Sequence, residues 1–169
     1  MLVGFMGAGK TTVGKLLADT LHFQFLDLDD QLSRRFHRTI QQIFEEFGEP
    51  AFREMERQTL REQVAMLNFN LVLAVGGGAF VQPDNAALLR QQGFTSVWLD
   101  APIEELRRRC APTEQRPLAR DANQFRQLYE ARRAGYMAAD LLVDTSGKTP
   151  EQVASEVAAC LRPEMRKAE

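Results

Sequence analysis

The chain has 169 residues, 44% of them hydrophobic, enough for one compact domain with a substantial core and too little for two ordinary ones. Its 21 basic residues are balanced by 23 acidic ones, which excludes a broad electrostatic footprint for nucleic acid or a membrane surface and confines any basic chemistry to local clusters. No apolar run approaches the roughly 20 residues that span a bilayer. A cytoplasmic protein is expected, its Cys110 and Cys160 reduced because they show no C-x-x-C spacing.

Met1, Leu2 and Val3 read as the end of an apolar first strand. A core strand usually runs about five residues, so a start lacking a few residues is expected. Gly4-Phe5-Met6-Gly7-Ala8-Gly9-Lys10-Thr11 is a complete G-x-x-x-x-G-K-[ST] phosphate loop, and Val13, Leu16, Leu17 and Leu21 follow at helical spacing. In that order of strand, loop and helix, successive backbone N–H groups curl around an anion. Lys10 then reaches the outer phosphates and the Thr11 hydroxyl ligates Mg²⁺. Binding of a nucleoside triphosphate follows.

The second strand is expected over Phe25 to Leu28, and alternation puts Asp27 and Asp29 on one side of its carboxyl end, with Asp30 free to cap the next helix. One carboxylate would hold Mg²⁺ through water while the other orients or deprotonates an acceptor hydroxyl. Thr39 and Gln42 form a capping box ahead of Ile40, Ile43, Phe44 and Phe47, a helix that Gly48 ends. Pro50 opens another that runs to about Leu67 and carries Phe52, Arg53 and Glu56.

Leu71 to Val75 is the third strand, and Gly76, Gly77 and Gly78 follow it directly, bringing backbone N–H groups near a ligand with no Cβ in the way. Val97 to Asp100 is the fourth, its Asp100 read as a cap for the short helix that Pro102 opens through Arg109. Thr113 to Leu118 is a polar segment of the kind that forms lids. Arg132 and Arg133 lie on a helix around Tyr129 to Tyr136; with Arg53 they are candidates to grip a carboxylate bidentately. Leu141 to Asp144 is the fifth strand, and Thr149, Pro150 and Gln152 open the last helix. Strands alternating with helices predict a parallel sheet covered on both faces.

The phosphate loop, then Asp27-Leu28-Asp29, then Phe52-Arg53 with Glu56, then Gly76 to Gly78, then Arg116-Pro117-Leu118 resemble, in this order, the shikimate kinase family. The resemblance runs from Gly4 to about Pro150. It implies a three-layer α/β/α fold of the P-loop NTPase type, with a five-stranded parallel sheet in the order 2-3-1-4-5. It also implies one domain over residues 1–169, with substrate-binding helices at about 30–62 and a mobile lid at about 110–123. The activity implied is Mg-dependent transfer of the ATP γ-phosphoryl group to the 3-hydroxyl of shikimate.

On that resemblance Gly7, Ala8, Gly9, Lys10, Thr11 and Thr12 bind the nucleotide phosphates, and Arg109 and Pro150 resemble the positions that sandwich adenine. Thr11 and Asp27 serve the metal. Asp29 is the candidate base, Arg116 the lid arginine, and Arg53 and Arg132 the carboxylate clamp. Phe44 and Phe52 wall the carbocycle, Gly76, Gly77 and Gly78 line the substrate, and Glu56 holds Arg53 or Lys10 in place.

The late helix departs from the family's R-x-P-L-Y, reading Arg132-Arg133-Ala134-Gly135-Tyr136. Counting from Tyr136 selects Arg132, whereas counting from Asp144 leaves Arg133 as an alternative. A gluconate kinase of the same fold and a non-catalytic nucleotide switch are competing readings. The glycine triplet and the Phe52-Arg53 pair favour shikimate.

Overall fold

The computed structural model describes residues 1–66, 70–110 and 121–165, with side chains as far as Leu161. Its centre is a five-stranded parallel sheet in the order β2-β3-β1-β4-β5. The strands are β1 (Leu2–Val3), β2 (Gln24–Asp27), β3 (Leu71–Ala74), β4 (Val97–Asp100) and β5 (Leu141–Asp144). The helices are α1 (Lys10–Leu21), α2 (Leu28–Phe36), α3 (Ile40–Ala65), α4 (Pro83–Gln91), α5 (Ile103–Cys110), α6 (Ala122–Tyr136) and α7 (Pro150–Met165). The order and the three-layer α/β/α arrangement are those expected from the sequence.

The central strands are the apolar ones because both of their faces are covered. Leu2, Val3, Val72, Leu73, Val97 and Leu99 are buried, whereas the edge strand β2 is half-buried. Although β1 has two residues, Leu2 pairs with both Ala74 and Val97, and Val3 pairs with Trp98, so β1 holds the middle of the sheet. Because every pairing is parallel, the carboxyl ends of β1, β2, β3 and β4 share one edge. α1 and α7 pack on each other, and Val13, Leu17, Val153 and Val157 join the buried core.

Both capping boxes form. Thr39 Oγ1 accepts from the Gln42 N–H at 3.2 Å while the Gln42 side chain accepts from the Thr39 N–H at 2.9 Å. Thr149 and Gln152 repeat the exchange at 3.3 and 2.9 Å. α3 is interrupted at Gly48, whose φ of 76° and ψ of 171° leave the helical region, and Pro50 restarts it. The second half is described as far as Ala65 with Met66 as its cap, and the expected end at about Leu67 lies outside the described residues.

Two expectations need correction. β2 stops at Asp27 and Leu28 already opens α2, so Asp27 and Asp29 do not alternate along one strand. Asp27, rather than Asp30, is the cap: its Oδ1 accepts from the Asp29 N–H at 3.0 Å, which satisfies one of the orphan donors of the first turn. Asp100, in turn, does not cap α5. Its carboxylate accepts from the Tyr129 hydroxyl at 3.1 Å and ties α6 to β4, while the Pro102 carbonyl accepts from Glu105 and Leu106 at the start of α5.

Candidate active site

The phosphate loop leaves β1 at the centre of the sheet and delivers the chain into α1. Gly7 and Gly9 sit at φ of 83° and 88°, in the left-handed region that turns successive N–H groups toward one point. A Cβ on Gly7 would also meet the Cys110 Sγ at 2.9 Å, so α5 backs the loop. Lys10 Nζ donates to the carbonyls of Gly4 and Phe5 at 2.9 and 3.1 Å. Ala8 is buried, and Thr12 lies exposed in the first turn of α1.

Thr11 Oγ1 donates to Asp27 Oδ2 at 2.6 Å. One carboxylate therefore caps α2 with one oxygen and meets the phosphate-loop hydroxyl with the other. A hydroxyl and a carboxylate beside a phosphate cradle suit Mg²⁺, which takes one or two protein oxygens and completes its shell with phosphate and water. Among the described residues no group of three or more His, Cys, Asp or Glu side chains forms a self-sufficient metal cage.

A second cluster converges on the glycine triplet after β3, where each glycine receives a different charged side chain. A Cβ on Gly76 would lie 2.8 Å from Asp29 Oδ1 and 3.3 Å from Glu56 Oε1. On Gly77 it would lie 3.1 Å from the Tyr136 hydroxyl, 3.4 Å from Arg132 Nη1 and 3.3 Å from the Gly4 carbonyl. On Gly78 it would lie 2.7 Å from Arg53 Cζ. None of the three has positive φ. At Gly76 and Gly78 a Cβ would come within 3.0 Å of a neighbour, which real Cβ atoms essentially never do, so Asp29 and Arg53 would have to shift; at Gly77 the fit is tight, with 3.1 Å to the nearest atom.

Arg53 is held from two sides on its own helix. Its Nη1 donates to Glu56 at 2.8 Å, and its Nε and Nη2 donate to Glu49 at 3.3 and 3.1 Å. The guanidinium lies over Phe52 and Phe44, 5.1 and 5.9 Å from their ring centroids, and the two rings pack on each other at 4.2 Å. Glu56 thus braces Arg53, one of the two partners expected for it. Arg132 approaches the same triplet from α6, over Phe5 at 5.9 Å and beside Gly77, whereas Arg133 turns toward Tyr129 and Asp100. The register counted from Tyr136 is the one that brings an arginine to the triplet.

Glu56 is only 1% exposed, and that burial pushes its carboxyl up to about 7; Arg53 opposes the shift and Asp29 adds to it. A folded-state pKa above the unfolded value favours the protonated form in the fold. This group's contribution is therefore full below about 4.5 and is lost as pH rises through about 7. Denaturant titrations should show Glu56→Gln flattening the decline in stability across that window relative to the parent; an identical pH profile would show that Glu56 does not titrate there.

Arg109 donates to the Thr145 hydroxyl and carbonyl at 2.9 and 2.8 Å and to Glu105 at 2.7 Å, anchoring α5 beside the turn that leads to Pro150, the first residue of α7. Arg116 and the rest of Thr113 to Leu118 lie outside the described residues. Sequence reasoning missed Phe5, Tyr136 as a site group, and Cys110 behind the loop. Of these only Tyr136 carried a signal, its fixed distance from Arg132.

A phosphate loop at the centre of a 2-3-1-4-5 sheet, facing two carboxylates and two arginines across a glycine strand end, defines a P-loop kinase for a small acidic acceptor. A family model for shikimate kinase matches residues 6–162. The chain is 38% identical over 162 residues to the shikimate kinase of Persephonella marina, covering 95% of this chain and 97% of that one. It superposes on the Acinetobacter baumannii shikimate kinase in complex with shikimate with a TM-score of 0.88 and 36% identity, over 96% of this chain and 92% of that one. The chain belongs to the shikimate kinase family and is an ATP-dependent kinase that phosphorylates shikimate. A gluconokinase from Sinorhizobium meliloti shares the fold, with a TM-score of 0.68 over 99% of this chain and 93% of that one, at 17% identity. That likeness extends to architecture alone.

Proposed function

We propose that the chain passes the γ-phosphoryl group of Mg-ATP to the 3-hydroxyl of shikimate across the seam between the phosphate loop and the glycine triplet. The observation that carries this reading is the placement of Asp29, Arg132 and Arg53 on three consecutive glycines, with Gly77 beside the Gly4 carbonyl of the phosphate loop. Asp29 accepts the hydroxyl proton or orients the hydroxyl. Arg53 and Arg132 clamp the carboxylate, and Phe44 and Phe52 wall the ring. Gly76, Gly77 and Gly78 let backbone approach the acceptor.

On the donor side the N–H groups of Gly7, Ala8 and Gly9 and of Thr11 and Thr12 hold the phosphates, Lys10 reaches the outer ones, and Arg109 and Pro150 flank the base. Thr11 and Asp27 would hold Mg²⁺, which supplies neutralisation of charge on the phosphoryl oxygens. Arg116 serves as the lid arginine within residues 110–123. Such a transfer needs mainly positioning and charge neutralisation, which these side chains provide. The enzyme works as a single-domain cytoplasmic monomer over residues 1–169. Among the described residues no helix is long and apolar enough to cross a membrane.

A coupled ADP-release assay with Mg-ATP tests the reading, comparing shikimate, gluconate and no acceptor. Release only with shikimate is expected. Release with gluconate alone moves the acceptor assignment, and ATP binding without release under any acceptor leaves a nucleotide switch.

A further inference from the structure

The turn that follows β3 has an unusual freedom. The Ala79 N–H donates to the Gly76 carbonyl at 2.9 Å, which makes Gly77–Gly78 the central peptide of a β-turn. Because Gly78 does not have positive φ, the turn is of the type I class. Type II differs by rotation of that central peptide and requires positive φ at the third residue, a conformation glycine takes without steric cost. The peptide is planar and trans, so a flip exchanges the directions of the Gly77 carbonyl and the Gly78 N–H together. With no Cβ on either side, the two glycines offer no side-chain barrier to it.

Tyr136 touches the flipping unit. Its hydroxyl donates to the Gly77 carbonyl, its side chain is fully buried, and its ring packs on Trp98 at 5.9 Å. The hydroxyl has one proton to give, and the Arg132 guanidinium donates to the same oxygen. α6 can bring this group so close because residue 135 is glycine: a Cβ there would lie 2.9 Å from the Val81 Cβ, in the chain just beyond the triplet.

We propose that Tyr136 is a positioning residue that pins the Gly77–Gly78 peptide in one of its two orientations and holds Arg132 beside it, so that the acceptor meets a fixed N–H and a fixed guanidinium. The inference rests on the reading that the triplet and Arg132 receive the acceptor, and it adds the group that decides which way the triplet faces. A hydrogen bond from a buried hydroxyl to the flipping carbonyl biases the two turns in favour of the one observed.

Tyr136→Phe keeps the ring against Trp98 and removes only the hydroxyl. The expected result is a rise of about tenfold in KM for shikimate, with KM for ATP unchanged and kcat much less affected. In amide NMR spectra of the ligand-free variant the Gly78 resonance should broaden or double, while the parent shows one sharp signal. A single sharp Gly78 resonance in the variant overturns the proposal whatever the kinetics. Equal losses of shikimate and ATP affinity with a lowered Tm also overturn it, marking Tyr136 as ordinary core. The resonance is read without substrate, so it distinguishes failure of the pin from failure of the acceptor assignment, which the parent's response to shikimate reports.

Discussion

Replacing Asp29 with Asn should lower kcat by roughly 10²–10⁴-fold while leaving ATP affinity intact. The substitution keeps the shape that packs against Gly76 and removes the charge and the proton acceptor. The local fold should survive, because the bond from the residue 29 N–H to Asp27 involves backbone and not the changed side chain. The nucleotide cradle lies on β1 and α1, and Asp27, which meets Thr11, is untouched. Steady-state ADP release together with an ATP titration checks both halves of the expectation. Turnover close to that of the parent would remove Asp29 from the proton transfer, and lost ATP binding would show that the two sides of the seam cannot be separated.

Arg53→Ala should weaken shikimate binding by about 2–5 kcal/mol, the cost of removing one member of a buried charged contact. It should also destabilise the fold, because Glu56 is buried and would lose the partner that Arg53 provides at 2.8 Å. Breaking such a pair costs on the order of 3–5 kcal/mol, less whatever protonation of Glu56 recovers. Chemical denaturation separates this from the binding effect, and Arg53→Ala with Glu56→Gln should regain stability without regaining affinity. Gly78→Ala gives the complementary test. A methyl there would lie 2.6 Å from Arg53 Nη1 and displace the guanidinium without removing its charge. KM for shikimate should rise while the Glu56 pair keeps most of the stability; an unchanged KM would mean that the carboxylate is gripped elsewhere.

The sheet order, the capping boxes and the phosphate loop were legible because each is written in local sequence: apolar runs, a Thr with a Gln three residues on, glycines at fixed offsets. The joint roles of Asp27 and Asp29 were less so. Alternation describes a strand that continues, but β2 ends one residue before Leu28, and a carboxylate in position to cap α2 wins at Asp27. Asp100 misled for a related reason, since an acid before Pro102 looks like a cap and its real partner, Tyr129, arrives from 29 residues away. The triplet was recognised as a place of close approach, yet nothing in three consecutive glycines says which side chains approach. That is set by how α2, α3 and α6 cross the end of β3. Arg132 and Arg133 could not be ranked from spacing alone, because the choice depends on the face of α6 turned toward Phe5.

The break in α3 at Gly48 looks like a fault in one long helix. Along an unbroken helix, residues eight positions apart are separated by about 12 Å of axial rise, so Phe44 and Phe52 would stand in different storeys of the molecule. Their rings instead lie 4.2 Å apart, side by side beneath Arg53. One backbone conformation, a positive φ combined with an extended ψ that essentially only glycine takes, folds two lengths of helix into a corner, and the paired rings beneath Arg53 are that corner's inner surface.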